Sequence, residues 1–175
     1  MANKEALREL QGRLAERLQA ARTVERPTGW LAVEAGAHGF LLPLAEAGEI
    51  FPAKALVPVP HTQPWFIGVA NLRGTLAGVV DLACFLGLIA APAAHADTAR
   101  VIAFTPALDI NVAVRVDRLA GLRNPDQLSI EAPAADASPP PAFVGRRLRD
   151  NSGRVWQELR LAELARDERF LHIVD

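Results

Sequence analysis

Trp65-Phe66-Ile67-Gly68-Val69-Ala70-Asn71-Leu72-Arg73-Gly74 is followed directly by Thr75-Leu76-Ala77-Gly78-Val79-Val80-Asp81-Leu82, and these two runs decide the fold. Gly68 and Gly74 bracket the first run and permit tight backbone turns that a Cβ would hinder. Val69 and Leu72 are expected in the core, which leaves Arg73 able to face a partner. The segment is therefore predicted to be a rigid loop that displays one positive charge.

The same run is not a phosphate-binding loop. Gly68 and Gly74 lie one residue further apart than the glycines of a P-loop, and Arg73-Gly74-Thr75 stands where that motif requires Gly-Lys followed by Ser or Thr. A nucleotide-binding function is thus not indicated.

The whole chain has the size and charge of one compact domain. Its 175 residues carry 19 Lys and Arg against 20 Asp and Glu, a net charge of -1 that argues against a general polyanion binder. Cys84 is the single cysteine, so the chain can form no intramolecular disulfide and no cysteine metal cluster. Because no apolar stretch of signal-peptide length follows Met1, we expect a cytoplasmic protein.

One apolar stretch, Leu76 to Ala94, is about long enough to cross a bilayer. Asp81 would be costly there, and Gly78, Gly87 and Pro92 interrupt the run. The stretch is better interpreted as a buried strand and a short helix, so no direct membrane insertion is expected.

The N-terminal segment has the pattern of an amphipathic helix. Leu7, Leu10, Leu14, Leu18 and Ala21 recur at helical spacing and form one narrow apolar stripe. Arg26-Pro27-Thr28-Gly29 ends this pattern. The stripe packs either on the domain's own core or on a partner helix. We predict a helical extension over residues 1–27 and a separate domain over 28–175.

The rest of the chain is predicted to be mainly β. Trp30 to Glu34 and Phe40 to Leu44 form one hairpin, and Val101 to Phe104 and Ile110 to Val116 flank a Thr105 to Asp109 turn. The alternation in Ile110 to Val116 predicts a core face and a wet face. Asn124 to Pro141 is predicted to be a long surface loop, Asp150-Asn151-Ser152-Gly153 a hairpin turn, and Leu161 to Asp167 a final helix.

No residue pattern indicates catalysis, a cofactor or a metal ion. His38, His61, His95 and His172 lie in separate predicted elements and show no metal-ligand spacing. Cys84 is expected to be buried and inert within an apolar run. We interpret Asp81 as the N-cap of a short helix from Leu82 to Leu86, worth about 1 kcal/mol of stability, and not as a general base.

The two opening runs, followed by Phe85-Leu86-Gly87-Leu88, resemble the hallmark stretch of CheW-like chemotaxis adaptor domains. That family's pattern runs roughly Gly-Val-Ile-Asn-Leu-Arg-Gly, then a strand ending in Asp-Leu, then a short helix. Upstream matches are Leu42-Pro43-Leu44, Glu49-Ile50 and Leu56-Val57-Pro58-Val59-Pro60. The resemblance covers Trp30 to Leu122 well and the remainder loosely. The Gly-Val-Ala-Asn-Leu-Arg-Gly wording and the ending Phe170 to Asp175 point to the PilI-like branch, which serves type IV pilus twitching motility.

This resemblance implies two packed SH3-like β-barrels with the N-terminal helix and short additional helices. It implies a non-enzymatic scaffold that couples methyl-accepting chemoreceptors to a CheA-type histidine kinase, binding the kinase's regulatory domain and the receptors' cytoplasmic tip. The implied receptor-facing residues are Ala47, Glu49, Gly68, Asn71 and Arg73. We also expect a Glu49–Arg73 ion pair. The family usually has a large apolar residue at Ala47 and a proline near Ala77-Gly78, and the first departure weakens the expected receptor contact.

Two other classes of function stay open. Arg146, Arg147, Arg149 and Arg154, with Phe143 and Trp156, place charge and aromatic rings on one hairpin, as in a nucleic-acid-binding barrel. Strand alternation would, however, separate Arg146 from Arg147 and Arg149. The other class is a small enzyme, which would require a pocket with titratable groups of strongly shifted pKa.

Overall fold

The computed structural model describes residues 28–92, 96–132 and 139–175, and strands dominate them. The strands are β1 (Trp30–Ala35), β2 (His38–Pro43), β3 (Ala47–Pro52), β4 (Phe66–Leu72), β5 (Thr75–Asp81), β6 (Arg100–Phe104), β7 (Val112–Val116), β8 (Arg118–Arg123), β9 (Leu128–Ile130), β10 (Val144–Asp150) and β11 (Val155–Leu159). The helices, each one turn long, are α1 (Leu82–Phe85), α2 (Leu161–Leu164) and α3 (Glu168–Leu171). The predicted N-terminal helix lies outside the described residues.

The strands form two curled sheets, which confirms the expected pair of small β-barrels. The central barrel has the order β3-β6-β7-β5-β4, and the outer barrel has the order β8-β1-β2-β11-β10-β9. Neighbouring strands are antiparallel except for β5 with β7 and β2 with β11. The chain therefore enters the outer barrel, builds the whole central barrel, and returns to complete the outer one.

The predicted first hairpin is present and turns tightly at Gly36 and Ala37. Ala35 lies opposite His38, so the loop has two residues, and both have positive φ, 55° and 66°. Two residues of positive φ define the turn whose twist matches that of the flanking strands.

One hydrophobic core joins the two barrels. It contains Phe40 and Leu42 of the outer barrel together with Ile102 and Val114 of the central barrel. Phe170 of α3 stacks on Trp65 and on Phe104, with ring centroids 6.3 and 6.0 Å apart. The chain segment after the outer barrel is thus packed on the central barrel.

The prediction of a wet face on β7 was wrong. All five of its residues, Val112–Val116, are buried. Val112, Val114 and Val116 pack in the core that joins the two barrels, which covers one face of β7. Ala113 packs in a second apolar cluster inside the central barrel, and Arg115 faces a buried carboxylate. Ile110 precedes the strand.

The last third of the chain is more ordered than the sequence indicates. The predicted surface loop contains a 3₁₀ turn, Pro125–Gln127, and the edge strand β9, which pairs with β10. The final helix, predicted over Leu161 to Asp167, is shorter and ends at Leu164. A second helix that was not predicted, α3, follows it, and Asp167 caps α3 by accepting a hydrogen bond from the Phe170 N–H. The hairpin at Asp150 is confirmed, with positive φ at Gly153.

Within the described ranges, no helix is long and apolar enough to cross a membrane. The stretch from Leu76 contributes most of β5 and then α1, which agrees with the strand-and-helix interpretation.

Candidate functional site

The tip of the β4–β5 hairpin displays Arg73. Leu72 lies opposite Thr75, so Arg73 and Gly74 form a two-residue loop. Both have positive φ, 51° and 89°, and the side-chain direction of Gly74 is open for at least 4 Å. Positive φ at a residue with a Cβ is uncommon, and such positions often lie at functional sites. The loop is therefore a tight projection at the surface.

Glu49 of β3 holds the Arg73 side chain, which confirms the ion pair expected from the sequence. Arg73 Nη1 donates to Glu49 Oε1 at 3.3 Å, and Arg73 Nε lies 3.1 Å from Glu49 Oε2. The two side chains are 76% and 55% exposed. An exposed pair of this kind contributes about 0 to 1 kcal/mol to stability, so its main effect is to orient the guanidinium.

A bulge in β3 brings Glu49 to this position. The register between β3 and β6 shifts between Ala47, which faces Phe104, and Ile50, which faces Ile102. Gly48 lies in the bulge, and a Cβ there would be 3.0 Å from the carbonyl oxygens of Ala103 and Phe104. Gly48 was not predicted from the sequence, although a glycine inside a strand often indicates a bulge.

The ion pair lies at the rim of a groove of 490 Å³ in the central barrel. The groove is lined by Gly48, Glu49, Phe51, Leu72, Arg73, Thr75, Ala77, Ala103, Phe104, Pro106, Ile110, Asn111 and Val112. Its lining is mostly apolar, so the charged pair stands beside a surface that an apolar side chain could fill.

The five expected receptor-facing residues do not all share this surface. Glu49 and Arg73 are in contact, Asn71 is exposed at the hairpin tip, and Ala47 is half-buried on β3. Gly68 is buried, and a Cβ on it would be 2.3 Å from the Val57 carbonyl oxygen. Its φ of 130° accommodates a bulge in β4, beside the Val57–Val69 bridge. Gly68 therefore shapes the strand and offers no contact surface.

Asp81 has a second role that the sequence did not reveal. It caps α1 as predicted, because its Oδ1 accepts the Cys84 N–H at 2.9 Å. Its Oδ2 also accepts a hydrogen bond from Arg115 Nη1 of β7, and both side chains are 2% exposed. The contribution of about 1 kcal/mol predicted for the cap is thus too small for Asp81, because removing one partner of a buried ion pair is strongly destabilising.

Cys84 is buried as expected. Burial, and then the nearby charge of Asp81, raise the pKa of its thiol above the ordinary value. A raised pKa lowers the thiolate fraction, so this cysteine is a poor nucleophile. Among the described residues, no group of three or more His, Cys, Asp or Glu side chains is arranged to hold a metal ion.

The arginines of the β10–β11 hairpin are all engaged with carboxylates. Arg146 pairs with Glu158, Arg147 and Arg149 with Glu131, and Arg154 with Glu34. Phe143 and Trp156 are buried, so neither ring is available for base stacking. This geometry disfavours the nucleic-acid-binding alternative.

Asp150 organises the turn of the same hairpin. Its Oδ1 accepts from the Ser152 hydroxyl at 2.6 Å, and its Oδ2 accepts from Trp156 Nε1 at 2.8 Å. The Ser152 hydroxyl, followed by Trp156 and two backbone N–H groups, lowers the pKa of Asp150 to about 2. This carboxylate is therefore a structural anchor of the outer barrel.

Known proteins resemble this chain along most of its length. The sequence model of the CheW-like domain family matches residues 29–169. Protein PilI of Pseudomonas aeruginosa is 28% identical over 153 residues, covering 86% of this chain and 84% of PilI. The crystal structure of the scaffolding protein TtCheW from Thermoanaerobacter tengcongensis has a TM-score of 0.60 at 16% identity, covering 76% of this chain and 88% of TtCheW.

These comparisons agree with the geometry. The likeness to TtCheW shows a shared fold of two barrels. The identity to PilI confirms the resemblance to the PilI-like branch that the sequence indicated. Because the family match spans most of the chain, this protein belongs to the CheW-like domain family.

Proposed function

We propose that this protein is a non-enzymatic adaptor that couples methyl-accepting chemoreceptors to a CheA-type histidine kinase. Membership of the CheW-like family over residues 29–169 supports the adaptor role, and the identity to PilI supports a pathway that controls type IV pilus twitching motility. The adaptor works in the cytoplasm, at arrays of membrane receptors, and reaches them by binding proteins. Residues 28–175 form the adaptor domain.

One observation carries the receptor site: a guanidinium displayed on a tight hairpin tip and oriented by Glu49 beside a mostly apolar groove. Such a surface offers a receptor helix both an apolar contact and a directional charge. Ala47 and Asn71 border this surface, whereas Gly68 is buried against the Val57 segment.

Calorimetric titration tests this function. The full-length protein is titrated with the regulatory domain of the kinase and, separately, with a cytoplasmic receptor fragment. We expect both to bind, and we expect Arg73→Ala to weaken the receptor complex alone by about 1 to 3 kcal/mol.

Arg166→Ala is the matched control. Arg166 is 75% exposed and pairs with Glu163 at 3.6 Å, so it resembles Arg73 in exposure and pairing but lies after α2. We expect its replacement to leave both titrations unchanged. Lack of binding to both partners would refute the adaptor function, whereas equal losses for the two arginine variants would refute the receptor site.

A further inference from the structure

The hairpin tip that displays Arg73 has an unfavourable sequence for its geometry. A two-residue loop with positive φ at both positions strongly prefers Asn or Gly at the first position. Here the first position is Arg73, at φ 51°, and only the second is a glycine. An arginine does not supply the local hydrogen bonds that let Asn or Asp adopt this conformation. Something else must hold the turn.

Asn71 provides that support. It lies two residues before Arg73, and its Oδ1 accepts the Gly74 N–H at 2.7 Å. This hydrogen bond joins the Asn71 side chain on β4 to the second residue of the loop, so it spans Arg73. A side-chain carbonyl that accepts a backbone N–H in this way mimics a backbone turn.

Arg73 is thus restrained at two independent places. Asn71 fixes the backbone of the loop, and Glu49 fixes the guanidinium through Nε and Nη1. Ordering a long side chain before binding reduces the entropy lost in the complex. The two restraints act on the same residue from different strands.

We propose that Asn71 is a positioning residue: it holds the Arg73-Gly74 loop in its left-handed conformation so that Glu49 can orient the guanidinium toward a receptor. This inference rests on the proposed function. It assigns Asn71 an indirect role, in place of the direct receptor contact that the family resemblance implies.

The first test uses the free protein, so it does not depend on any partner. Backbone amide exchange of Gly74 is measured by NMR in the wild type, in Asn71→Ala and in Asn71→Asp. We expect Asn71→Ala to accelerate exchange of the Gly74 N–H by about 2- to 10-fold, the effect of losing one hydrogen bond. Asn71→Asp keeps an acceptor at the same atom and is expected to restore protection. Unchanged exchange in Asn71→Ala would overturn the proposal.

The second test measures binding of the receptor fragment to Asn71→Ala, Arg73→Ala and the double variant. We expect Asn71→Ala to weaken binding by about 2- to 10-fold when Arg73 is present, and to have no further effect when Arg73 is absent. Asn71→Asp should recover most of the affinity. Equal effects in both backgrounds would mean that Asn71 contacts the receptor itself, which would overturn the positioning role.

Controls separate the two ideas. Asn151→Ala removes an exposed asparagine from the turn of the β10–β11 hairpin and should leave receptor binding unchanged. If Arg73→Ala weakens binding but Asn71→Ala does not, only the positioning role is refuted. If Arg73→Ala has no effect while the kinase domain still binds, the receptor site and its positioning residue are both refuted and the kinase-binding role stands.

Discussion

The two ends of the β4–β5 hairpin contain the same chemical parts in opposite surroundings. At the tip, Arg73 pairs with Glu49, and both side chains are more than half exposed. At the base, Asp81 pairs with Arg115, and both are 2% exposed. Each end also has a glycine of positive φ. Gly74 at the tip is open to solvent, whereas Gly68 near the base is pressed against Val57.

The difference shows how one strand pair can serve both stability and recognition. A charge pair removed from water must keep its partner, because an unpaired buried charge is very costly. An exposed pair contributes little to folding and is therefore available for contacts with another protein. We infer that the base of the hairpin stabilises the barrel and that the tip is available to contact another protein.

The largest effect is expected from Asp81→Ala. The substitution removes the cap of α1 and leaves the Arg115 guanidinium buried without this carboxylate. We expect the free energy of unfolding to fall by about 3 to 5 kcal/mol, measured by urea denaturation. Asp81→Asn retains an acceptor for the Cys84 N–H and so isolates the loss of charge.

Partner binding distinguishes structure from recognition at this residue. Wherever Asp81→Asn remains folded, we expect it to bind receptor and kinase as the wild type does, because Asp81 is buried. A stable Asp81→Asn protein that fails to bind would contradict a purely structural role for Asp81. If Asp81→Ala lowers the free energy of unfolding by less than about 1 kcal/mol, the expected cost of separating the buried charges is wrong.

Alanine substitutions at the two hairpin glycines, Gly68 and Gly74, are expected to give the next largest loss of stability. Alanine at Gly68 requires an unfavourable backbone conformation and also places Cβ 2.3 Å from the Val57 carbonyl oxygen, so we expect a loss of about 2 to 4 kcal/mol. Gly74→Ala has the backbone strain without the clash, and about 1 kcal/mol is expected. Thermal unfolding of both variants measures the difference. Equal losses of stability would show that the clash with the Val57 carbonyl is not what makes a side chain at Gly68 unfavourable.

Asp150 of the outer barrel extends the comparison of exposed and buried charges to a half-buried carboxylate. Its folded pKa of about 2 lies below its ordinary value of 3.8, so its contribution is complete above about pH 4 and is lost as the pH falls toward 2. We expect a loss of about 1 to 2 kcal/mol over this window. Asp150→Asn should make the free energy of unfolding less dependent on pH there.

Two other carboxylates of the outer barrel contribute in the same direction. Burial alone would raise the pKa of Glu34 and of Glu158, but hydrogen bonds from arginines, and for Glu158 also from the Arg146 N–H and Trp30, lower both below the ordinary value. Asp150→Asn therefore reduces the pH dependence without abolishing it. An acid unfolding curve identical to that of the wild type would contradict the role of Asp150.

The local sequence predicts well whatever depends on neighbouring residues. The turn at Gly36, the cap at Asp81 and the hairpin at Asp150 were all recognised because the residue type sets the backbone conformation within a few positions. The family resemblance added the barrels and the Glu49–Arg73 pair, which join positions distant in the chain.

The failures share one physical cause, which is tertiary context. Alternating residues in β7 predict an exposed face, yet an apolar cluster covers that face at Ala113 and Arg115 is buried with the Asp81 carboxylate. The polar composition after Asn124 predicts a loop, yet Leu128–Ile130 form a strand because they pair with the edge of β10. Gly68 was expected at the surface because the sequence cannot show that the Val57 segment covers it.

The smallest effect on stability, and the most informative, is expected from Glu49→Ala. Because the pair at the tip is exposed, the free energy of unfolding should change by less than about 1 kcal/mol. Receptor binding should weaken by about 0.5 to 1.5 kcal/mol, since Arg73 loses the acceptor that orients it, and Arg73→Ala should abolish this difference. Urea denaturation and calorimetric titration measure the two quantities. If Glu49→Ala destabilises the fold as much as Asp81→Ala does, the division of the hairpin into a structural base and a recognition tip is wrong.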